Sequence, residues 1–456
     1  MRIGEIVKIA RGRLLTGNPD ANVDLAKVST DSRAIGKGEF FIALKGPSFD
    51  GNDFVREVLD KGAIGAIVSR SDSRNKNSGK ILIQVKDTTK ALQDIAACHR
   101  RKFKIPVIAV TGSNGKTTTK DMVWSVLSSK YNVLRNEGTK NNHIGVPQTL
   151  LKLTDKHQFC VLELGTNHKG EIERLSEISA PDVAVITNIG ASHLEFLNNL
   201  DGVCEEKTDI LKALKNRKAL AILNGDDDHL SAVKPRGIKI IRYGLKSSNN
   251  YAAVNMPPKG DHLTFVVNGK MVFELNLLGV HNIYNALAAI ACGRYFGLNY
   301  RLIREALFNF RPTSMRLNLK KVAGVDIIDD TYNSNPSSMA GALDVIKYYP
   351  AKSKWVVAGD MLELGQHSER FHKMAGRDIA RAGIDGLVTF GKFSRHILSQ
   401  AKRSGMKSSR LWHCSDHKKA AKVLKSVIKS GDVVLLKGSR GMKMESVLEE
   451  LKGLNV

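Results

Sequence analysis

Residues 106–120, PVIAVTGSNGKTTTK, constrain the fold of this chain more than any other segment. A β-branched apolar run from Val107 to Val110 stops at Thr111-Gly112. Ser113, Asn114, Gly115, Lys116, Thr117 and Thr118 follow, and then a helical pattern with Met122, Val123, Val126 and Leu127 on one side. Strand, glycine loop and helix start form the layout of a phosphate-binding loop, because unpaired N–H groups and the positive end of the helix dipole converge on one spot. Lys116 adds a point charge there, and the Thr117 hydroxyl can ligate Mg²⁺. The strict pattern G-x-x-x-x-G-K-[ST] is not met: Val110 stands where its first glycine belongs, and Gly112 comes two residues later. An ordinary strand-to-helix turn has no need of Gly-Lys-Thr-Thr-Thr, so nucleotide binding is the expectation.

A chain of 456 residues suits about three domains. Its 42% hydrophobic and 25% charged content fit a globular protein with a sizeable core. No apolar run approaches the roughly 18 residues that span a bilayer, and MRIGEIVKIARGRLL reads as a short amphipathic helix, not a secretory signal. Five scattered cysteines without a CxxC pair suit a reducing cytoplasm, with Cys160 and Cys292 read as buried thiols. The net charge of +25 admits two readings. One is phosphate contacts to nucleic acid. The other, which the even spread of lysines favours, is a lysine-rich surface plus sites for small anions. His417, Lys418, Lys419, Lys422 and Lys425 repeat at helical spacing, as on a solvated helix face.

The expected fold class is α/β in three domains. Residues 1–83 read as a small mixed α/β unit, with a strand over 38–44, a helix over 53–61 and a polar loop over 69–80. Residues 84–312 read as a central parallel-sheet ATPase domain, with unalternating apolar strands at 107–111, 159–164, 183–187, 219–223 and 238–241. Helices are expected near 116–129, 170–178, 201–214 and 281–297, and a hairpin over 251–278 around Asn268-Gly269. Residues 313–456 repeat the alternation as a Rossmann-like doubly wound domain. Arg311-Pro312-Thr313-Ser314 is the linker between the last two and the expected hinge.

Three further residues lie in or beyond the central strands. Glu163 ends one, where carboxyl ends of parallel strands face the ligand crevice; it is placed to ligate a metal or to pair with a lysine. His193 lies just past another, as a structural histidine or a ligand. Lys207, within Glu205-Glu206-Lys207-Thr208-Asp209, reads on its own as a surface lysine of a charged helix.

Taken together, these motifs resemble the Mur ligase family of ATP-dependent amide-bond ligases. TGSNGKTTTK, LELGTNHKGEI, NIGASHLEFLNN with EEKTDIL, and GVHNIYNALAA carry the resemblance in order and spacing. RPTSMRL, DDTYNSNPSSM, GDMLELG, LLKGSRGMKME and the N-terminal STDSRAIGKGEFFIALKGPSFDGNDF extend it over essentially the whole chain. DDTYNSNPSSM with GDMLELG resembles the cytoplasmic member that joins D-alanyl-D-alanine to UDP-N-acetylmuramoyl-tripeptide in peptidoglycan synthesis. Other members of the superfamily, adding diaminopimelate or lysine or extending folates, remain as alternatives.

The resemblance implies site residues that the bare sequence does not. Gly112, Ser113, Asn114, Gly115, Lys116, Thr117, Thr118, Asn282 (beside His281), Asn285 and Asp330 are expected to bind ATP. Lys116, Lys207 and Arg316 are expected to be catalytic. Thr117, Glu163, His193 and Lys207 are expected around two Mg²⁺ ions, with Lys207 carbamylated by CO₂. Asp31, Ser32 and Arg33 lie in the region expected to hold the uridine diphosphate. Asn52 departs from the pattern, since a histidine often stands there, and it cannot carry charge. The implied chemistry is acyl-phosphate formation and amide synthesis by a monomer, with no nucleic acid partner and no membrane insertion.

Overall fold

The computed structural model describes residues 1–70, 79–214, 219–256, 262–312 and 314–452. Three β-sheets run along the chain, as the alternation of short apolar runs with amphipathic helices predicts. The first has five strands, with Val28–Ser29, Phe40–Ile42, Gly65–Val68 and Ile81–Gln84 parallel and Arg13–Thr16 antiparallel at one edge. The N-terminal amphipathic segment forms the helix Ile3–Ile9, which buries Ile3 and Ile6. Of the polar loop expected over 69–80, residues 71–78 lie outside the described residues, as does Thr313 of the expected linker.

The central sheet has nine strands. Val107–Thr111 lies between Phe159–Glu163 and Val183–Ile186, parallel to both, with Val110 opposite Glu163 and Thr111 opposite Ile186. Residues 107–110 are completely buried, which explains their continuous apolar character: helices cover both faces of such a sheet. The chain leaves Val107–Thr111 towards one side and returns to the other, so the carboxyl ends of these strands open onto a topological switch point, where α/β sheets place their ligands. The strands Leu220–Asn224, Lys239–Gly244 and Tyr251–Asn255 extend the sheet in parallel. The hairpin Leu263–Val267/Met271–Leu275 closes it, turning at Asn268-Gly269, both in the left-handed region. The helices Lys116–Ser128 and His281–Tyr295 pack against each other; a Cβ at Gly293 would lie 2.6 Å from Val126 Cγ1. At their other ends Asn285 of the second helix meets Gly115 and Thr119 beside the phosphate loop.

The third sheet has six strands, five parallel and one antiparallel edge, Asn318–Val322. Its helix His417–Val427 buries Ala420, Ala421 and Leu424 and exposes Lys418, Lys419 and Lys422, the solvated face expected of that run. The sequence pattern missed Val133–Arg135, Asn318–Val322 and Leu411–Cys414, edge strands that are short or only half-buried and so lack an apolar run. The segment expected as one helix over 201–214 is an α-helix, Leu200–Thr208, continued by a 3₁₀ turn, Asp209–Ala213.

One buried cation ties the helix after the first sheet to the central one. Arg100, 6% exposed in the helix Thr88–Arg101, donates to the carbonyls of Phe103 (2.7 Å), Ser179 (3.0 Å), Ile105 (3.2 Å) and Ala180 (3.3 Å). It also lies 3.6 Å from Asp182, whose carboxylate receives the Val107 N–H at 2.9 Å. Arg100→Met removes the cation and leaves Asp182 half-buried without it. The expected cost is about 3 kcal/mol, read as a lower midpoint of the first urea transition. An unchanged midpoint would remove Arg100 as a strut of the central sheet.

Candidate active site

The segment 187–190, beyond the strand Val183–Ile186, holds the phosphate loop in shape. Gly112 has φ +139°, and a Cβ there would collide with Thr187 Oγ1, which donates to the Asn114 carbonyl at 2.6 Å. Ser113 N–H donates to the Asn188 carbonyl at 3.0 Å, and Asn114 N–H to Asn188 Oδ1 at 2.9 Å. Gly115, at φ +77°, caps the helix Lys116–Ser128; a Cβ there would press on Asn285 Oδ1. Asn285 accepts from Thr119 Oγ1 at 3.0 Å and donates to Asn282 Oδ1 at 2.9 Å. Both asparagines are 6% exposed, so they brace the loop from behind while lining the cleft. Lys116 folds its Nζ onto the loop's own carbonyls, Gly112 at 2.9 Å and Ser113 at 3.2 Å.

In front of the loop, Thr117 Oγ1 donates to Glu163 Oε2 at 2.6 Å and accepts from Arg316 Nη2 at 2.9 Å. The second carboxylate oxygen of Glu163 accepts from Asn141 Nδ2 at 2.7 Å. Asn136 fixes the Glu163 backbone through bonds of 2.9 Å to both its N–H and its carbonyl. Glu163 therefore faces the loop threonine and Asn141, and among the described residues no lysine lies in ion-pair contact with it. A hydroxyl and a carboxylate side by side match a hard cation such as Mg²⁺, which takes one or two carboxylates and fills its shell with phosphate and water oxygens. Among the described residues no three His, Cys, Asp or Glu gather into a metal cluster. The Arg316 guanidinium stacks 3.9 Å from the Tyr332 ring centroid.

The third unit makes further contacts with the loop. Asn335 caps the helix Pro336–Tyr348, with Pro336 at its first position, and donates from Nδ2 to Asn114 Oδ1 at 2.8 Å. Asn114 Nδ2 donates to Ser337 Oγ at 2.6 Å. Two helix starts, 116 and 336, thus aim at one cleft of about 710 Å³. Asp330 lines it, held by Lys437, which is 1% exposed and also donates to the Asn333 carbonyl at 3.1 Å.

Lys207 corrects the reading of it as a surface residue: it is 0% exposed. The charged run conceals that its helix turns both Glu206 and Lys207 inward. Glu206 caps the helix Glu171–Ser179, accepting from Gly170 N–H (2.6 Å), Ile172 N–H (2.8 Å) and Thr166 Oγ1 (3.0 Å). Among the described residues nothing accepts a hydrogen bond from Lys207 Nζ. Burial, and next the nearby Lys116 charge, hold the amine well below the usual lysine range. His193 Nδ1 lies 2.6 Å from Glu363 Oε2, and burial pushes the imidazole below its ordinary value.

The residues expected to hold the uridine diphosphate stand apart from this cleft. Arg33 is folded onto Asp31 through bonds of 2.8 and 2.9 Å, which holds that carboxyl at about 2. Lys61 donates to the Ser32 carbonyl at 3.1 Å. Asn52 is 9% exposed; its amide bonds to Asp50 (2.6 Å), Ser69 Oγ (2.9 Å) and Ser69 N–H (3.0 Å). It stitches a turn to a strand end. The cleft does bring together the loop residues 113–118, Glu163, His193, Asn282, Asn285, Arg316 and Asp330. Sequence reasoning missed Asn136, Asn141, Glu206, Glu363 and Lys437 as site-forming residues. Glu363 and Lys437 lay inside motifs already singled out, GDMLELG and LLKGSRGMKME, which was the available signal.

A nucleotide cleft at the carboxyl ends of a parallel sheet, closed by a second α/β unit that reaches the phosphate loop, defines an ATP-using enzyme of the Mur ligase type. Family models agree: the Mur ligase middle domain matches residues 110–293, the Mur ligase glutamate ligase domain 315–440, and the Mur ligase family catalytic domain 24–100. The chain is 37% identical to the UDP-N-acetylmuramoyl-tripeptide–D-alanyl-D-alanine ligase of Bacillus subtilis, covering 98% of each. It is 34% identical to the enzyme of that name from Escherichia coli, covering 99% of this chain and 98% of that one. A MurF crystal structure from Acinetobacter baumannii superposes with a TM-score of 0.90, at 32% identity and 99% coverage of both chains. A MurF from Thermotoga maritima in complex with ADP superposes with a TM-score of 0.84, at 29% identity, covering 95% of this chain and 98% of that one. The chain belongs to the Mur ligase family.

Gly112→Ala tests the loop geometry. Its added methyl must displace Thr187, whose hydroxyl holds the Asn114 carbonyl. Affinity for a non-hydrolysable ATP analogue should fall about tenfold or more by calorimetry, the equivalent of ~1.4 kcal/mol. Affinity within about twofold of the parent would contradict a loop clamped by residues 187–190.

Proposed function

We propose that the chain joins D-alanyl-D-alanine to UDP-N-acetylmuramoyl-tripeptide at the expense of ATP, in cytoplasmic peptidoglycan precursor synthesis. The observation that carries this reading is the junction of Thr117, Glu163 and Arg316, where the third unit touches the phosphate loop. The terminal carboxylate of the tripeptide attacks the γ-phosphorus of ATP, forming an acyl phosphate and releasing ADP. Both partners are anionic, so positive charge must converge on them, and phosphoryl transfer asks for little else from a protein. Lys116, Arg316 and the two helix starts supply it. Thr117 and Glu163 would hold Mg²⁺, which when bound neutralises charge on the β- and γ-phosphates. The amine of D-alanyl-D-alanine then attacks the acyl carbon through a tetrahedral intermediate, and phosphate leaves as the amide forms. The contacts of Asn114 with Asn335 and Ser337 keep the third unit seated, which shields the acyl phosphate from water.

A carbamate on Lys207 belongs to the same proposal. CO₂ adds to a neutral amine, and the buried Nζ, with its depressed affinity for protons, supports that step. The product is an anion that would help to position Mg²⁺ together with His193. Asn282 and Asn285 are proposed to hold the adenine end of ATP, Asp330 to close over the nucleotide, and Asp31, Ser32 and Arg33 to hold the uridine diphosphate.

Coupled ADP release tests the reaction. Turnover should require both UDP-N-acetylmuramoyl-tripeptide and D-alanyl-D-alanine, and Lys116→Ala should lower it by at least about a hundredfold in a folded protein. ATP hydrolysis indifferent to both substrates, or stimulated by nucleic acid, would refute the reading. Lys207→Ala should be crippled and partly restored by short carboxylic acids such as acetate; full activity without them would sink the carbamate.

A further inference from the structure

We propose that Glu363 is a positioning residue that orients His193 towards the metal site, so that seating of the third unit completes that site. This inference rests on the reading of His193 as a metal ligand. Glu363 Oε2 lies 2.6 Å from His193 Nδ1 and comes from the third unit, whereas His193 follows a strand of the central sheet. At that distance the carboxylate sits against Nδ1 but off the line of an Nδ1–H hydrogen bond; swung into line on that imidazole nitrogen it would fix the tautomer and leave the other nitrogen, Nε2, as the lone-pair donor for a cation.

The contact is built into the backbone on both sides. His193 has φ +54° and Glu363 φ +62°, left-handed conformations that cost a non-glycine residue about 1–2 kcal/mol each. Strain of that kind persists where the surroundings impose it. Here the two strained residues face each other. Glu195 N–H donates to the Glu363 carbonyl at 3.2 Å, which locks the two segments together. Gly365, at φ +52°, allows the close approach: a Cβ there would sit 3.3 Å from Glu195 Cα. His193 keeps 15% of its side chain exposed and lines the cleft, while Glu363, 43% exposed, lies outside the lining residues. The carboxylate therefore acts through the histidine and not on the nucleotide. A plain ion pair between units would produce the same distance but would have no bearing on metal affinity.

The test is Mn²⁺ binding to the full chain with a non-hydrolysable ATP analogue, followed by electron paramagnetic resonance. Glu363→Asn keeps a residue that tolerates the left-handed backbone but is too short to reach His193. It should weaken Mn²⁺ about tenfold, the usual penalty for removing the partner of a ligating histidine. Glu363→Gln, which keeps the reach and an oxygen to set against Nδ1, should stay within about twofold of the parent. In a His193→Ala background, Glu363→Asn should change nothing further. Parent-like Mn²⁺ affinity in Glu363→Asn, beside a weakened His193→Ala, would overturn the proposal and leave His193 as a ligand. Equal weakening by Glu363→Asn with and without His193 would also overturn it, as a structural effect. If His193→Ala itself binds Mn²⁺ like the parent, the ligand reading fails and this inference with it. Should Glu363→Asn not fold, Glu363→Ala carries the same comparison.

Discussion

The hydroxyl of Thr117 is the point on which the rest of this structure turns. It sits in the first turn of a helix, donates to a carboxylate at the end of the neighbouring parallel strand and accepts from an arginine of a different unit. Each bond depends on a separate part of the fold. The strand register sets Val110 beside Glu163, and Gly112 and Gly115 bend the loop so that Thr117 faces it. Arg316 reaches the cleft from the third unit, beside the strand Asn318–Val322. A ligand taking up Thr117 must therefore rearrange all three side chains, which couples nucleotide binding to the placement of the third unit.

The same logic explains why buried polar groups are dense around the cleft. Glu163, Glu206, Lys207, Asn282 and Asn285 are all buried, and leaving such groups unpaired costs stability. Most are satisfied by neighbours: Glu206 by two backbone N–H groups and a threonine, Glu163 by Thr117 and Asn141. Lys207 stands apart, since no described group accepts from its amine. A buried amine in that condition is held by the fold at a cost and is a reasonable seat for chemistry.

Much of this was legible in the sequence, and what was missed has physical reasons. The central strands were visible because complete burial on both faces demands unbroken apolar runs, as at Val107–Val110. Edge strands such as Asn318–Val322 are half solvated, and their lysines erase the signal. The phosphate loop announced itself through Gly112 and Gly115, where a Cβ would strike Thr187 or Asn285, and through Lys116, a cation at a helix start. Lys207 and Glu363 were opaque to composition: one hides in a charged helix, and the other acts through a histidine far away in sequence. Family resemblance supplied Lys207; the pairing of Glu363 with His193 needed coordinates.

Hydrogen exchange with and without a non-hydrolysable ATP analogue addresses the coupling most directly. The account predicts that the analogue slows exchange together in segment 112–119 and in segment 333–341 of the third unit, which contact each other through Asn114, Asn335 and Ser337. Protection confined to 112–119, with 333–341 exchanging as in the free chain, would contradict a nucleotide site shared between the two units.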